Sequence, residues 1–271
     1  MKHKFVLGIF SLSATLLHAM PALAEDKPAD TPAADQPSAT KVVGFGVFYA
    51  PEYPGARKNR VGPALFAEYH HPNGFFASST SGLGYEKKID NSDLSIALGF
   101  RGGRKEKSDA GTLSGSEDLK GMGDIENSVT TTLHAGTQLG GAVHFSVDAN
   151  LALSHRENGN LYNFGLSAPL FQSSTDSIEL SGTASYGDRK YNQTNFGVTA
   201  TQSANSGYSS FAPKAGFTQA MAMVSWGHVI NKHWSVRTAV GATHMLGDAA
   251  NSPLTKKKTS PILVSTVNYA F

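Results

Sequence analysis

The last segment of the chain, from Pro261 to Phe271, alternates between two kinds of side chain. Successive side chains of a β-strand point to opposite faces, so residues two apart share a face. Counting back by twos from the end gives a set that is mostly apolar or aromatic: Phe271, Tyr269, Val267, Ser265 and Leu263. This period is expected where one strand face meets lipid and the other meets a polar interior. The segment therefore predicts a strand of a transmembrane barrel.

The same alternation recurs from Lys41 to the end of the chain, most clearly over 143–154. In the clearest alternating segments the charged residues share the polar face, as an Arg or Lys facing lipid at mid-membrane costs about 2–4 kcal/mol. We predict an all-β fold, a transmembrane antiparallel β-barrel of the outer membrane with about 12 strands, within about 10–14. The predicted strands are 41–50, 61–70, 75–86, 93–101, 128–139, 142–154, 160–171, 177–187, 194–202, 216–229, 233–245 and 261–271.

The N-terminal residues have the layout of a cleavable export signal. Lys2 and Lys4 precede an apolar stretch that leads into small residues ending at Ala24. A positive end, an apolar middle and small residues at the cut are typical of a secretory signal peptide. We predict a signal peptide over 1–24, cleaved after Ala24, and a proline-containing, disordered periplasmic leader over 25–40. The barrel is predicted over 41–271.

The composition of the chain excludes several classes of function. The chain has 23 basic and 21 acidic residues, and removal of Lys2 and Lys4 with the signal makes the two counts equal. A nucleic-acid partner is not expected, because it would require a basic excess on one face. The 271 residues contain no cysteine, which excludes disulfides, thiolate metal sites and thiol nucleophiles.

One stretch does not fit the predicted topology. With both termini in the periplasm, the predicted strands place 51–60, 87–92, 172–176, 203–215 and 246–260 outside, and 71–74, 155–159, 188–193 and 230–232 in the periplasm. The long segment Gly102–Asn127 then faces the periplasm, while the tight Gly140–Gly141 joint lies outside. This inverts the usual pattern of short periplasmic turns and long outer loops. Either the long segment is a periplasmic or lumenal element with its own role, or the strand count is wrong near it.

Several segments, in order along the chain, resemble the MipA/OmpV family of outer-membrane proteins. The matching segments are Gly44–Gly55, Leu119–Ile125, Asn195–Thr199 with Gln202–Ser203, Leu246–Pro253 and Tyr269–Phe271. The loop residues that carry the resemblance are Pro51, Tyr53, Pro54, Gly55, Gly121, Asp124, Gly197, Gly247, Asp248, Ser252 and Pro253.

The resemblance implies a barrel that binds a lytic transglycosylase and scaffolds it with a murein synthase. Other members of the family are linked to adhesion or antibiotic response, so these roles and a passive small-solute pore remain alternatives. The family assigns no catalytic residues. In barrels of this class the terminal strand closes the ring and carries the signal for the barrel assembly machinery. We assign that role here to Leu263, Val267, Tyr269 and Phe271.

The motif loops have two physical interpretations. The prolines and Gly55 fix the backbone at a strand end, and the same loop could contact a partner. Lys256–Lys258 could meet lipopolysaccharide phosphates, or simply be a solvated run. Outer-membrane lipid and lipopolysaccharide are therefore predicted contacts.

An enzymatic site is not predicted, and neither is a cofactor or a metal. His244, Asp248 and Ser252 are close in sequence, but their spacing is not diagnostic of acyl transfer. His70 and His71 lack a further ligand at a defined spacing, so a solvated turn is the better interpretation.

Overall fold

The structure is a computed structural model that describes residues 38–108 and 115–271. The predicted signal peptide, and the predicted leader as far as residue 37, lie outside these ranges. The strands are β1 (Thr40–Pro51), β2 (Asn59–His70), β3 (Phe75–Ser78), β4 (Gly82–Ile89), β5 (Ser92–Arg101), β6 (Ser128–Leu139), β7 (Val143–Ala152), β8 (Leu161–Gln172), β9 (Asp176–Gly187), β10 (Gly216–Val229), β11 (Trp234–Met245) and β12 (Thr259–Ala270). The helices are α1 (Arg189–Phe196), α2 (Ala200–Ser206) and α3 (Gly247–Asn251), with 3₁₀ turns at Glu117–Leu119 and Arg156–Asn158.

None of the helices in the described ranges is long and apolar enough to cross a membrane.

The strands form one closed antiparallel barrel. Each strand pairs with the next along the chain, and β12 returns to pair with β1 from Val42↔Ala270 to Tyr49↔Leu263. Closure leaves no free sheet edge between the first and last strands, which is what spanning a bilayer with strands requires. The predicted fold, an antiparallel barrel of about twelve strands, is confirmed.

The single strand predicted over 75–86 is wrong, because a tight turn divides it into β3 and β4. The Ser78 hydroxyl accepts hydrogen bonds from the backbone N–H groups of Thr80 (3.1 Å) and Ser81 (2.9 Å). Gly82 follows with φ +93°, a backbone conformation that glycine adopts without strain. Local hydroxyl-to-backbone bonds of this kind favour turns over continued strand.

The strand predicted over 194–202 is also wrong, because this segment is helical. Asp188 caps α1 by accepting a hydrogen bond from the Tyr191 backbone N–H at 2.7 Å. Thr199 and Gln202 form a reciprocal capping box at the start of α2. These caps satisfy the free N–H groups of the first helical turns, and the short alternation of the sequence could not compete with them.

The two errors cancel in the strand count. Between them along the chain, however, they assign every connection to the wrong side of the barrel. The extra turn after Ser78 adds one crossing before 102–127, so this segment lies with the other long loops and not on the side of the termini. The predicted periplasmic placement of 102–127 is therefore wrong. The sides predicted for 87–92, the 140–141 joint, 155–159, 172–176 and 188–193 are wrong for the same reason.

The corrected barrel has two distinct ends. We call the end with the long connections the loop end and the other the termini end. The connections at the loop end are 52–58, 102–127, 153–160, 188–215 and 246–258. The turns at the termini end are 71–74, 90–91, 140–142, 173–175 and 230–233. Short turns beside the termini and long loops opposite are the usual arrangement of outer-membrane barrels.

The two faces of the wall differ as the alternation predicts. Apolar side chains such as Phe45, Leu65 and Leu98 point outward and are more than half exposed. An aromatic girdle lies at the termini end on the side of β2–β4 and β10–β12, as expected where the wall meets the lipid–water boundary. Its members are Tyr69, Phe75, Tyr85, Trp226, Trp234, Tyr269 and Phe271. The inward face carries charged side chains: Arg101 and Asp148 are buried in the lumen.

Candidate functional site at the loop end

The long loops at one end of the barrel pack into a single structure, which we call the loop cap. It comprises residues 52–58, 102–108, 115–127, 188–215 and 246–258. Its apolar core is formed by Tyr53, Ala56, Leu119, Met122, Val198 and Leu254, with Tyr208 and Phe211 packed against it. The β1–β2 and β5–β6 loops start from separated parts of the ring of strands. Because they meet in one core, that core lies over the mouth of the lumen.

Tyr53, from the first motif segment, joins the first and last of these loops. Its ring is only 3% exposed, and its hydroxyl donates a hydrogen bond to the Leu254 carbonyl at 3.0 Å. The Gly55 carbonyl accepts from the backbone N–H of Lys256 at 2.7 Å. Gly55 has φ +87°, and a side chain there would approach Thr255. Burial, with a smaller contribution from Asp118, raises the pKa of Tyr53 well above its ordinary value.

The second motif segment brings the β5–β6 loop against α2. Gly121 has φ +85°, and a Cβ at this position would lie 2.6 Å from the Asn205 carbonyl oxygen. Its N–H donates to a carboxylate oxygen of Glu106 at 3.0 Å. Asp124 accepts from Lys105 Nζ and from the Glu106 N–H, both at 2.9 Å, and these bonds lower the pKa of Asp124. Glycine at 121 therefore allows a close approach of two loops.

The remaining motif residues connect α1 and α3. Gly197 ends α1, and its N–H donates to the carbonyls of Asn192 and Gln193. The Ser252 hydroxyl donates to the Phe196 carbonyl at 2.6 Å. Asp248 accepts from the Lys214 N–H at 2.8 Å. The other motif positions lie beside these contacts, namely Pro51, Pro54, Gly247 and Pro253. The motif residues of four separate segments are thus brought together at one end.

Two arginines of this region were not singled out by the sequence. Arg104 is 8% exposed, and its Nη1 donates to the Asn195 carbonyl at 2.8 Å. Burial lowers the pKa of Arg104 to about 10. Its backbone pairs with Ile125, which extends the β5–β6 ladder beyond the wall. No local pattern marks Arg104, since its role depends on contacts with residues far along the chain.

Arg101 fixes a second layer of contacts inside the mouth of the lumen. Its guanidinium donates to Asn150 Oδ1 at 3.0 Å and to the Gly159 carbonyl at 2.5 Å. The Tyr191 ring lies 5.3 Å from the guanidinium carbon, within the range of a cation–π contact. Arg101 thus links β5, β7, the β7–β8 connection and α1 beneath the cap.

The lumen below the cap has an apolar side and a polar side. Phe48, Met223 and Ile262 belong to a buried cluster on β1, β10 and β12. On the opposite side, His134 lies 2.6 Å from Asp93 and 2.7 Å from Asp148. His144 approaches the other oxygen of Asp93 at 2.9 Å. The lumen wall therefore offers a continuous polar strip from β5 to β7.

The residues considered for catalysis and for metal binding have separate partners. His244 bonds to Thr259 at 2.7 Å, whereas Asp248 and Ser252 bond to backbone groups in the cap. His70 bonds to Glu86 at 2.8 Å from inside the wall. Across residues 38–108 and 115–271, no group of three or more potential ligand side chains is arranged for a metal ion.

The residues assigned to barrel closure lie on the outward face of β12. Tyr49 is the partner of Leu263 on β1, and Trp234 packs edge-on against Tyr269 with ring centroids 4.9 Å apart. Phe271 follows β12 and donates its N–H to the Lys41 carbonyl at 3.1 Å. Recognition of Leu263, Val267, Tyr269 and Phe271 by the assembly machinery stays a prediction.

The solved structures that this chain matches are outer-membrane proteins of low sequence identity. An outer membrane channel from Pseudomonas putida F1 is 13% identical, with 89% of this chain and 100% of that chain covered and a TM-score of 0.42. NanC porin is 8% identical over 85% of this chain and 98% of that chain, with a TM-score of 0.43. Neisserial surface protein A is 7% identical over 86% of this chain and 97% of that chain, with a TM-score of 0.28.

No curated protein sequence matches the chain. The family described as MltA-interacting protein MipA does match, over residues 43–271. This range includes all four loop segments that form the cap, together with β12. The resemblance noted from the motif segments is confirmed, and the chain belongs to the MipA family of outer-membrane barrel proteins.

Proposed function

We propose that this outer-membrane barrel scaffolds murein-remodelling enzymes, holding a lytic transglycosylase together with a murein synthase at the inner surface of the outer membrane. The family is described by its interaction with MltA. A scaffold needs a rigid body and a binding surface, and it needs no catalytic group of its own. The closed barrel supplies the rigid body.

The observation that carries the proposal is the loop cap. Its central residues Ala56 and Leu119 are 0% exposed, and Tyr53 ties its first loop to its last. A packed core over the mouth suits a barrel that anchors partners. A wide channel would instead need loops that leave the lumen open, as in barrels of about 16–18 strands.

The polar strip of the lumen favours a second candidate, a passive pore for small solutes. Asp93, His134 and Asp148 line it with groups that hydrogen-bond water and ions. Such a path would still have to pass the Arg101 contacts and the cap. We therefore rank the pore second.

In this proposal the enzymes bind at the termini end, which we expect to face the periplasm. The described surface there consists of the short turns, and we expect the predicted leader, which precedes β1, to add to it. The segment 102–127 belongs to the opposite end and has no part in the contact. Lys232, in the turn between β10 and β11, is exposed and marks this surface.

The test is a pull-down of a purified MltA-type lytic transglycosylase by the folded barrel, with matched variants at the two ends. Lys232→Glu at the termini end is expected to lower recovery several-fold, and deletion of 25–39 is expected to do the same. Lys257→Glu is the control, since Lys257 is also exposed but lies at the loop end. Recovery that falls with Lys257→Glu alone would place the contact outside and contradict the proposal.

Single-channel conductance on the same preparation separates the two candidates. Enzyme recovery with a silent bilayer supports the scaffold. Steady conductance without recovery of the enzyme supports the pore and rejects the scaffold.

A further inference from the structure

Between β2 and β3 the ladder of strands is incomplete in the described part of the barrel wall. β3 pairs with β2 only over Glu68, Tyr69 and His70, whereas β1 pairs with β2 along its whole length. From the β3–β4 turn towards the loop end, β2 has no neighbouring strand on the side opposite β1 among the described residues. Pro63 lies in this unpaired edge. Because proline has no backbone N–H, the edge has one unpaired hydrogen-bond donor fewer.

A cleft of about 630 Å³ lies at this defect. It is lined mainly by outward-facing apolar side chains: Val43, Ala67, Tyr69, Leu83, Leu98 and Phe100. Inward-facing Glu68 and Ser78 contribute to the same cleft, so it reaches into the thickness of the wall.

The cleft follows a row of neighbours that crosses the strands. Successive pairings link Lys41↔Tyr69, Tyr69↔Ala77, Ala77↔Leu83 and Leu83↔Leu98. Four strand spacings of about 4.8 Å make this row about 19 Å long. Half of a bilayer's hydrocarbon core is about 15 Å thick, so the row is comparable in length with the depth of one leaflet.

The two ends of the row lie at different depths in the membrane. Lys41 is the second residue of β1 and lies at the aromatic girdle of the termini end, where the wall meets lipid headgroups. Leu98 is well along β5, about 20 Å from the start of that strand at about 3.3 Å per residue. The row therefore starts with a cation at the headgroup level and ends in apolar surface deep in the hydrocarbon.

We infer that this cleft binds one glycerophospholipid of the leaflet at the termini end. One acyl chain lies across the strands from Tyr69 to Leu98, and the phosphate meets the Lys41 ammonium. An acyl chain suits the cleft because an apolar recess open to hydrocarbon is filled by hydrocarbon and not by water. Lysine near the membrane surface attracts lipid phosphate.

The test is native mass spectrometry of the delipidated, folded barrel titrated with palmitoyl-oleoyl phosphatidylglycerol. One lipid is expected to bind each barrel with higher affinity than any further lipid. Ala77→Trp fills the middle of the row and is expected to weaken this first binding at least tenfold. Ala135→Trp is the matched control, because Ala135 is an exposed alanine on the outer face of β6, away from the cleft.

A second arm tests the headgroup. Lys41→Ser is expected to weaken binding of phosphatidylglycerol about fivefold, which corresponds to about 1 kcal/mol. It should leave binding of a diacylglycerol with the same chains unchanged. Equal loss for both lipids would reject the contact between Lys41 and phosphate.

Folding of each variant is checked by the shift in electrophoretic mobility on heating. If Ala77→Trp does not fold, Ala67→Trp blocks the cleft from its β2 side. Unchanged phosphatidylglycerol binding in a folded, blocked variant overturns the inference, and so does an equal loss in Ala135→Trp. A dimer mass that disappears with Ala77→Trp would also overturn it, because a second chain would then occupy the cleft.

Discussion

Replacing Tyr53 with phenylalanine removes one hydroxyl from the loop cap and keeps the ring. The hydroxyl donates to the Leu254 carbonyl at 3.0 Å, and the side chain is 3% exposed. A hydrogen bond of this kind contributes about 0.5–1.5 kcal/mol, and a buried carbonyl left unpaired costs about 1–3 kcal/mol. We expect the Tyr53→Phe variant to destabilise the closed cap by about 1–2 kcal/mol. The equilibrium for cap opening should then rise about 5- to 30-fold.

Limited trypsin digestion of the folded barrel measures this local opening. Lys257 and Lys258 lie in the last loop, directly after the part of the chain that Tyr53 holds. When opening is fast relative to cleavage, the cleavage rate follows the population of the open state. Cleavage after these lysines should therefore rise by the same 5- to 30-fold factor, while the melting temperature of the barrel changes little.

Tyr49→Phe is the matched control, since Tyr49 faces outward from β1 and is 39% exposed. Its cleavage rate should stay within about twofold of the wild type. The reasoning is refuted if Tyr53→Phe changes the rate no more than Tyr49→Phe does. It is also refuted if the whole barrel loses stability in proportion, because the cap would then not open as a separate unit.

Three further outcomes are expected. Gly121→Ala should lower the free energy of local opening of α2 by at least 1 kcal/mol, measured by hydrogen exchange, because the new Cβ would meet the Asn205 carbonyl. Gly123→Ala, at φ +74° with no atom within 4 Å of the new Cβ, should lower it by less. Burial raises the pKa of Tyr53, so its contribution to cap stability is complete below about pH 10 and is lost as the pH rises further. Cap opening by hydrogen exchange should thus increase above about pH 10 in the wild type and not in Tyr53→Phe. The exported chain should begin at Glu25 by intact mass, and another start would contradict cleavage after Ala24.

The barrel wall was predictable because alternation records the environment of each strand directly. Every residue of β12 or β7 faces either lipid or lumen, and the sequence carries that choice at each position. The alternation fails where local hydrogen bonds decide the backbone. Ser78 closes a turn within a Ser- and Thr-containing segment, and Thr199 with Gln202 starts a helix. Both are side-chain contacts over two or three residues, which a period of two cannot reveal.

The candidate site was predictable in its parts but not as an assembly. Tyr53, Gly121 and Ser252 were singled out from separate motif segments. Their convergence depends on which side of the barrel each loop occupies, and one missed turn after Ser78 reversed the side of 102–127. Arg104 could not be recognised, since its contact with Asn195 joins loops more than 90 residues apart.

The pairing of β1 with β12 has a kinetic consequence. Every other strand pair is a local hairpin or joins consecutive strands, whereas this one brings Val42 to Ala270. Closing a flexible loop of about 230 residues costs on the order of 5 kcal/mol of chain entropy, and none of that pairing can form until the last strand has been delivered. Until then the growing sheet carries two open edges, each a template for pairing with other chains. The final step of folding therefore sets how long the chain is at risk of aggregation, and a chain that stops before β12 would remain in that state.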